Sequence, residues 1–185
     1  MTERVFFDVD SGIRIAVPLV RETGHYWRHC DRECNPMPSH DVARAEGRYH
    51  VLNGTPVWYG ADSVEGAWAE FFKHYDLGTS PLRYLAHVHV REIAVIDLCD
   101  ERTLTRLSCS PVELVASGYG TCQKLGQLLL GHQRVDGILA PSAAHAGGRV
   151  LILKRQSVID SPREVVEASR SVHDLMHRIG SHDAA

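Results

Sequence analysis

Two arginines, a tyrosine and a glutamate are the residues whose types and spacing could carry chemistry. Arg28 follows Tyr26-Trp27, Arg48 sits in Glu46-Gly47-Arg48-Tyr49, Tyr59 closes Val57-Trp58-Tyr59, and Glu70 follows Ala67-Trp68-Ala69. A guanidinium is always charged and presents a planar fork of donors, so two or three of them suffice for a small anionic ligand. Read singly, each residue is ordinary: an isolated Arg or Glu is most often a solvated charge, and a strand tyrosine most often packs. They gain weight together because each ends or flanks an expected element, where sites tend to sit.

Other chemistries find less support. His29, Cys30, Cys34 and His40 lie close together, but no second CxxC or HxxxH completes a zinc pattern, so loop residues and a buried thiol are expected, not a metal. Cys122 stands at a helix start, where a thiol pKa can fall, yet its place under Leu125 reads as core. The chain has no Gly-x-Ser-x-Gly, P-loop or GxGxxG.

The elements that must position these residues are partly readable. Arg14–Val20 and Thr55–Ala61 read as short strands closed by Pro or Gly, and the polar stretch from Asp31 to Glu46 reads as a loop. Asp62, with Glu65 three residues on, predicts a capping box, and Val64, Ala67, Trp68, Phe71 and Phe72 recur at helical spacing. Glu70 lies about 60° from Ala67 on that helical wheel, at the rim of the buried face. Leu82, Tyr84, Ala86, Val88 and Val90 alternate with polar residues as in a half-buried strand, and Ile93–Leu98 reads as another. Ser110-Pro111-Val112-Glu113 predicts a helix start, Thr121–His132 a helix, Gly137–Ala140 and Arg149–Lys154 strands, and Ser161-Pro162-Arg163-Glu164 the start of a C-terminal helix over 161–180. Strands and helices mix without βαβ alternation, which favours an α+β class.

The chain has 185 residues, 44% hydrophobic and 23% charged, which fits one domain over 1–185 able to bury roughly two-thirds of its unfolded surface. A net charge of −3 without a basic stripe argues against direct nucleic-acid binding. No stretch approaches a membrane span, Met1–Asp10 has no apolar signal region, and five cysteines make an odd count, so reduced thiols in the cytoplasm are expected. Trp58, Trp68 and Phe72 read as core, with an oligomer interface as the alternative.

Several motifs, in order, resemble the RES-domain family. They are Trp27-Arg28, Gly47-Arg48-Tyr49, Gly54-Thr55-Pro56-Val57-Trp58-Tyr59, Ala67-Trp68-Ala69-Glu70, Cys122-Gln123-x-x-Gly126, Gly137-Ile138-Leu139-Ala140-Pro141-Ser142 and Gly147-Gly148-Arg149-Val150-Leu151. The resemblance is strongest over residues 26–155. The family is named for an arginine, a glutamate and a serine, which here look like Arg28 or Arg48, Glu70 and Ser142, with Gly120 or Thr121 at an alternative serine position. His50 stands where many members carry Asn.

The resemblance implies a single-domain ADP-ribosyltransferase-like fold, a mixed or antiparallel split β-sheet core with flanking helices. It implies an enzyme that consumes NAD by phosphorolysis, hydrolysis or ADP-ribosyl transfer, with inorganic phosphate as a possible co-substrate. It also implies the toxin of a pair whose antitoxin has a helix-turn-helix (Xre-type) half. Glu70 and Arg48 are then the catalytic candidates, and Arg28, Arg48, Tyr59, Gln123 and Ser142 the NAD-binding ones. Arginines suit the pyrophosphate, the Tyr59 ring can stack on nicotinamide, and Glu70 can take a ribose hydroxyl and stabilise the developing cation; Gln123 and Ser142 supply supporting polar contacts. The alternatives are an NAD-using biosynthetic or signalling enzyme without an antitoxin, and a non-catalytic nucleotide-binding module on the same fold.

Overall fold

The computed structural model describes residues 3–8, 13–30, 43, 45–74, 84–154, 157 and 163–168. In chain order the elements are β1 Arg4–Asp8, β2 Arg14–Pro18, β3 Val20–Cys30, β4 Val57–Ala61, α1 Val64–Phe72, β5 Tyr84–Asp97, α2 Glu101–Arg106, α3 Pro111–Val115, α4 Gly120–Leu130, β6 Gly137–Pro141, β7 Arg149–Lys154 and β8 Arg163–Ala168. The α+β class expected from the sequence is the one observed.

Strands β1 and β2 form a hairpin, and the main sheet runs β3-β4-β7-β6-β5-β8 with β3 also pairing β5. Five strands therefore close on themselves. Among the described residues only β5 and β6 run parallel; the other pairs are antiparallel. Closure depends on the length of β5. Along one edge β3 pairs it from Tyr84 to Val95, while along the other β8 pairs Leu85–Val90 and β6 pairs Val95–Asp97. The turn between these duties falls at Glu92, which takes φ 52, opposite a register shift between Glu22 and Gly24. Such a bulge breaks the ladder locally, and the Thr23 hydroxyl restores a bond by accepting from the Glu92 N–H at 2.9 Å.

Apolar side chains from all five strands fill the ring: Tyr26, Trp58, Val90, Val95, Leu139 and Leu151 belong to one buried cluster. Gly60 makes room for Trp58 two residues earlier on the same face, since a Cβ there would overlap the indole. Against the other face, Phe7 and Val17 of the hairpin and Leu104, Leu114, Leu125 and Leu129 of α2–α4 bury Ile96, Ile138 and Ile152. Helix α1 packs Trp68 and Phe71 on Ala61 and Leu85. Each fully buried side chain of this size contributes roughly 1.5–3 kcal/mol.

Several boundaries differ from the sequence reading. Strands β1 and β3 and helix α2 were not expected, because β3 has a mixed face with Glu22, Thr23 and His25 that hides its period. Ser63, not Asp62, caps α1, accepting from the Gly66 N–H at 3.0 Å. Asp62 is drawn away by Arg149, whose Nε and backbone N–H it receives at 3.0 Å each. The two expected strands across 82–98 are one bent strand, β5. Arg163–Ala168 is a strand and not the start of a helix: it lies along β5 from Leu85↔Ala168 to Val90↔Arg163, where its β-branched Val165-Val166 suits pairing. The rest of the expected C-terminal helix, and most of the expected 31–46 loop, lie outside the described residues. The Ser110 capping box is present, Glu113 Oε2 accepting from the Ser110 N–H and hydroxyl at 2.8 Å each. Among the described residues no helix is long and apolar enough to cross a membrane.

Candidate active site

A turn at residues 47–50 carries Arg48. Gly47 and His50 close it, each N–H donating to the other's carbonyl at 3.0 and 3.4 Å. Three outside groups fix the turn. The Tyr59 hydroxyl accepts from the Tyr49 N–H at 3.0 Å and bonds His50 Nδ1 at 2.9 Å. Gln123 Nε2 donates to Gly47 O and His50 O at 3.3 and 3.5 Å. Gly126 lets α4 lie against the Tyr49 carbonyl, because any Cβ there would overlap that oxygen.

The Arg48 guanidinium is thereby aimed. Its Nη1 donates to Leu114 O at 3.0 Å and Ala116 O at 2.7 Å, at the end of α3, and the group lies 4.8 Å from the centre of the Tyr119 ring. Its Nη2 is buried and has no hydrogen-bond partner among the described residues. A buried donor left unpaired costs about 1–3 kcal/mol, more when charged, a cost that an anionic acceptor at this atom would relieve.

Glu70 occupies the last turn of α1, half-buried. Its Oε1 receives the Ser142 hydroxyl at 2.8 Å, and the same hydroxyl accepts the Ala144 and His145 N–H groups at 3.1 and 3.0 Å. Ser142 is buried just past β6.

Arg28, Arg48, Tyr59 and Glu70 line one cleft of about 640 Å³, together with Lys73 and His74. That size falls in the range of small-molecule sites. Burial raises the Tyr59 phenol above its ordinary range, against the Tyr49 hydrogen bond and the charges of Arg28 and Arg48, so it stays neutral. Three of its lining side chains are cationic (Arg28, Arg48, Lys73) against two carboxylates (Glu46, Glu70), a balance suited to an anion with a local positive centre.

The six residues singled out from the sequence fall into two groups. Arg28, Arg48, Tyr59 and Glu70 come together in the cleft; Gln123 and Ser142 stand behind it, bracing the Arg48 turn and Glu70. Lys73 and His74 were missed. They stand three and four residues after Glu70, the spacing that shares a helix face, and that was the available signal. Cys122 is buried, its thiol directed at Leu114 O. Among the described residues no group of three or more His, Cys, Asp or Glu is placed to hold a metal; Cys34 and His40 of the weighed cluster lie outside them.

Comparison with known proteins gives three findings. The RES domain model matches residues 21–173. Probable NAD(+) phosphorylase Rv3189 of Mycobacterium tuberculosis (strain ATCC 25618 / H37Rv) is 37% identical over 133 residues, 69% of this chain. That match spans 63% of the relative's own length. The crystal structure of the M. tuberculosis MbcT-MbcA toxin-antitoxin complex contains a chain that superposes with a TM-score of 0.71, over 83% of this chain and 86% of that one, at 17% identity, a likeness of fold. Arg28, Arg48, Tyr59, Glu70 and Ser142 all lie inside the matched stretch, and this chain belongs to the RES domain family.

Proposed function

We propose that this chain consumes NAD as the toxin of a cytoplasmic toxin–antitoxin pair, cleaving the nicotinamide–ribose bond and passing the ADP-ribosyl group to inorganic phosphate. The observation that carries the reading is the pairing of two opposite, prepared charges in one cleft. Arg48 is held by two carbonyls with Nη2 to spare, and Glu70 is held by Ser142 through one oxygen with the other to spare. The relative named as a probable NAD(+) phosphorylase and the fold shared with a toxin–antitoxin complex support it.

The chemistry follows from the charges. NAD brings a dianionic pyrophosphate and a cationic nicotinamide ring. Arg28 and the spare Arg48 donor take the pyrophosphate, since guanidinium–phosphate bonds are charge-assisted. The Tyr59 ring offers a face to nicotinamide. As the bond breaks, its electron pair moves to the ring nitrogen, nicotinamide becomes neutral and positive charge moves to the ribose. The free Glu70 oxygen accepts a ribose hydroxyl and stabilises that charge without reorganising, because Ser142 already fixes the carboxylate. A helix-turn-helix antitoxin is the partner proposed to hold the activity in check.

The test is nicotinamide release from NAD by the purified protein, with and without phosphate, beside Glu70→Ala. We expect phosphate-dependent release that falls about 100- to 1000-fold in the variant. Equal release by both proteins would remove Glu70 from the site, and no release under either condition would remove the enzyme reading.

A further inference from the structure

Lys73, the C-cap of α1, stands three residues beyond Glu70, and both side chains reach the loop after β6. Glu70 bonds Ser142, and Lys73 Nζ donates to the carbonyl of the next residue, Ala143, at 3.3 Å. An i,i+3 pair has its Cβ atoms about 5–6 Å apart, close enough for a direct Glu–Lys ion pair. The two charges do not pair within 4 Å here; each is docked separately on the loop. An ammonium has three donors, and the carbonyl uses one, so two remain on a cation that lines the cleft beside the carboxylate.

A C-cap lysine also complements the helix dipole. That role needs no contact with Ala143 and no place in the cleft wall, and Lys73 has both.

Resting on the NAD-cleaving reading above, we propose that Lys73 is the acceptor-selecting residue: it holds the incoming inorganic phosphate beside Glu70, with His74 flanking it. The division of labour follows from charge and place. Glu70 marks where the ribose cation develops, and a free carboxylate there repels an approaching anion. Arg48 is fixed on the α3 carbonyls and Arg28 extends from β3, so among the described residues of the cleft Lys73, which caps Glu70's own helix, is the cation left to offset that repulsion. In the step, an oxygen of hydrogen phosphate bonds the ribose anomeric carbon while the carbon–nitrogen bond breaks, its electron pair going to the nicotinamide nitrogen. The phosphate proton remains on the new monoester and leaves to solvent as that ester ionises. No oxidant, reductant or further reactant enters.

The test compares wild type, Lys73→Met and Lys73→Arg in phosphate-dependent nicotinamide release, and measures binding of inorganic phosphate to each by phosphorus NMR. We expect Lys73→Met to raise the KM for phosphate about tenfold or more, the loss of one charged hydrogen bond, while the KM for NAD moves less than about twofold. Lys73→Arg restores most of the phosphate KM. An unchanged phosphate KM in Lys73→Met overturns the assignment, as does an equal rise in both constants. If wild type releases no nicotinamide, the NAD reading falls, and the NMR titration decides this inference alone. Phosphate binding present in wild type and lost in Lys73→Met sustains the anion site; equal binding, or none, overturns it.

Discussion

Ser142 donates its hydroxyl proton to Glu70 Oε1 across 2.8 Å, and the direction of that bond is forced. The same oxygen accepts N–H groups from Ala144 and His145. A hydroxyl has one proton and two lone pairs; with both lone pairs engaged by the loop, the proton goes to Glu70. The loop therefore sets the rotamer of the carboxylate through a buried serine. Ser142→Ala leaves two N–H groups and one carboxylate oxygen unsatisfied at a buried position. We expect a loss of about 2–3 kcal/mol of stability and a fall in nicotinamide release of about 10- to 100-fold. Denaturant unfolding beside turnover checks both, and a variant that keeps full turnover at normal stability would show that Glu70 needs no such support.

Arg48→Lys tests whether charge alone is enough. The guanidinium spans Leu114 O and Ala116 O with one nitrogen while presenting another. An ammonium is a point charge without that planar fork. Arg48→Lys is therefore expected to lose as much turnover as Arg48→Ala, about 100-fold or more, through a weaker hold on NAD and its transition state. Recovery to within about threefold of wild type would mean that the α3 carbonyls do not orient the group.

How much of this was legible in the sequence depends on how local each cause is. The Arg149–Lys154 strand was read with its observed bounds because an apolar run is its own signal, and the Ser110 cap because both partners lie within four residues. The α1 cap was misplaced by one residue because Arg149, far along the chain, claims Asp62. The continuity of β5 was hidden because Glu92 takes a backbone conformation uncommon for a non-glycine residue, and its support comes from Thr23 on another strand. The four cleft residues could be named from motif spacing, but not their anchoring. That Arg48 rests on α3 carbonyls is a contact between residues 66 and 68 positions apart, without side-chain pattern at the acceptor end.

Gly126→Ala separates local propensity from tertiary packing. In the middle of α4, alanine ought to help the helix by about 0.8–1.0 kcal/mol. Its methyl would overlap the backbone carbonyl of Tyr49, which cannot rotate aside as a side chain does. Because Gln123 of the same helix braces the Arg48 turn, moving α4 also moves Arg48. We expect a net loss of about 1–3 kcal/mol together with reduced turnover. A gain in melting temperature would show that α4 and the turn yield without consequence.

Acid sensitivity follows from two imidazoles held below the usual histidine range. His50 is lowered by burial, against the hydrogen bond its ring donates to the Ala45 backbone carbonyl and the charge of Glu46. His87 is lowered by burial and then by the charges of His25 and His89. It lies on the β3–β5 face with its Nε2 2.8 Å from His25 Nδ1 and its ring stacked on Trp27, a cleft residue, at 4.8 Å. Arg91 Nε bonds His89 Nδ1 nearby, adding a fixed cation to the same face. The unfolded chain, with imidazoles near 6.5, takes up protons that the folded chain refuses. Stability from these two groups is therefore complete above that pH and is lost as the pH falls below it toward the folded values. The melting temperature should drop from about pH 7.5 to about pH 5, and the drop should be shallower in His87→Gln and shallower still when His50→Asn is added. Parallel curves for all three proteins would show that neither His50 nor His87 sets the acid sensitivity.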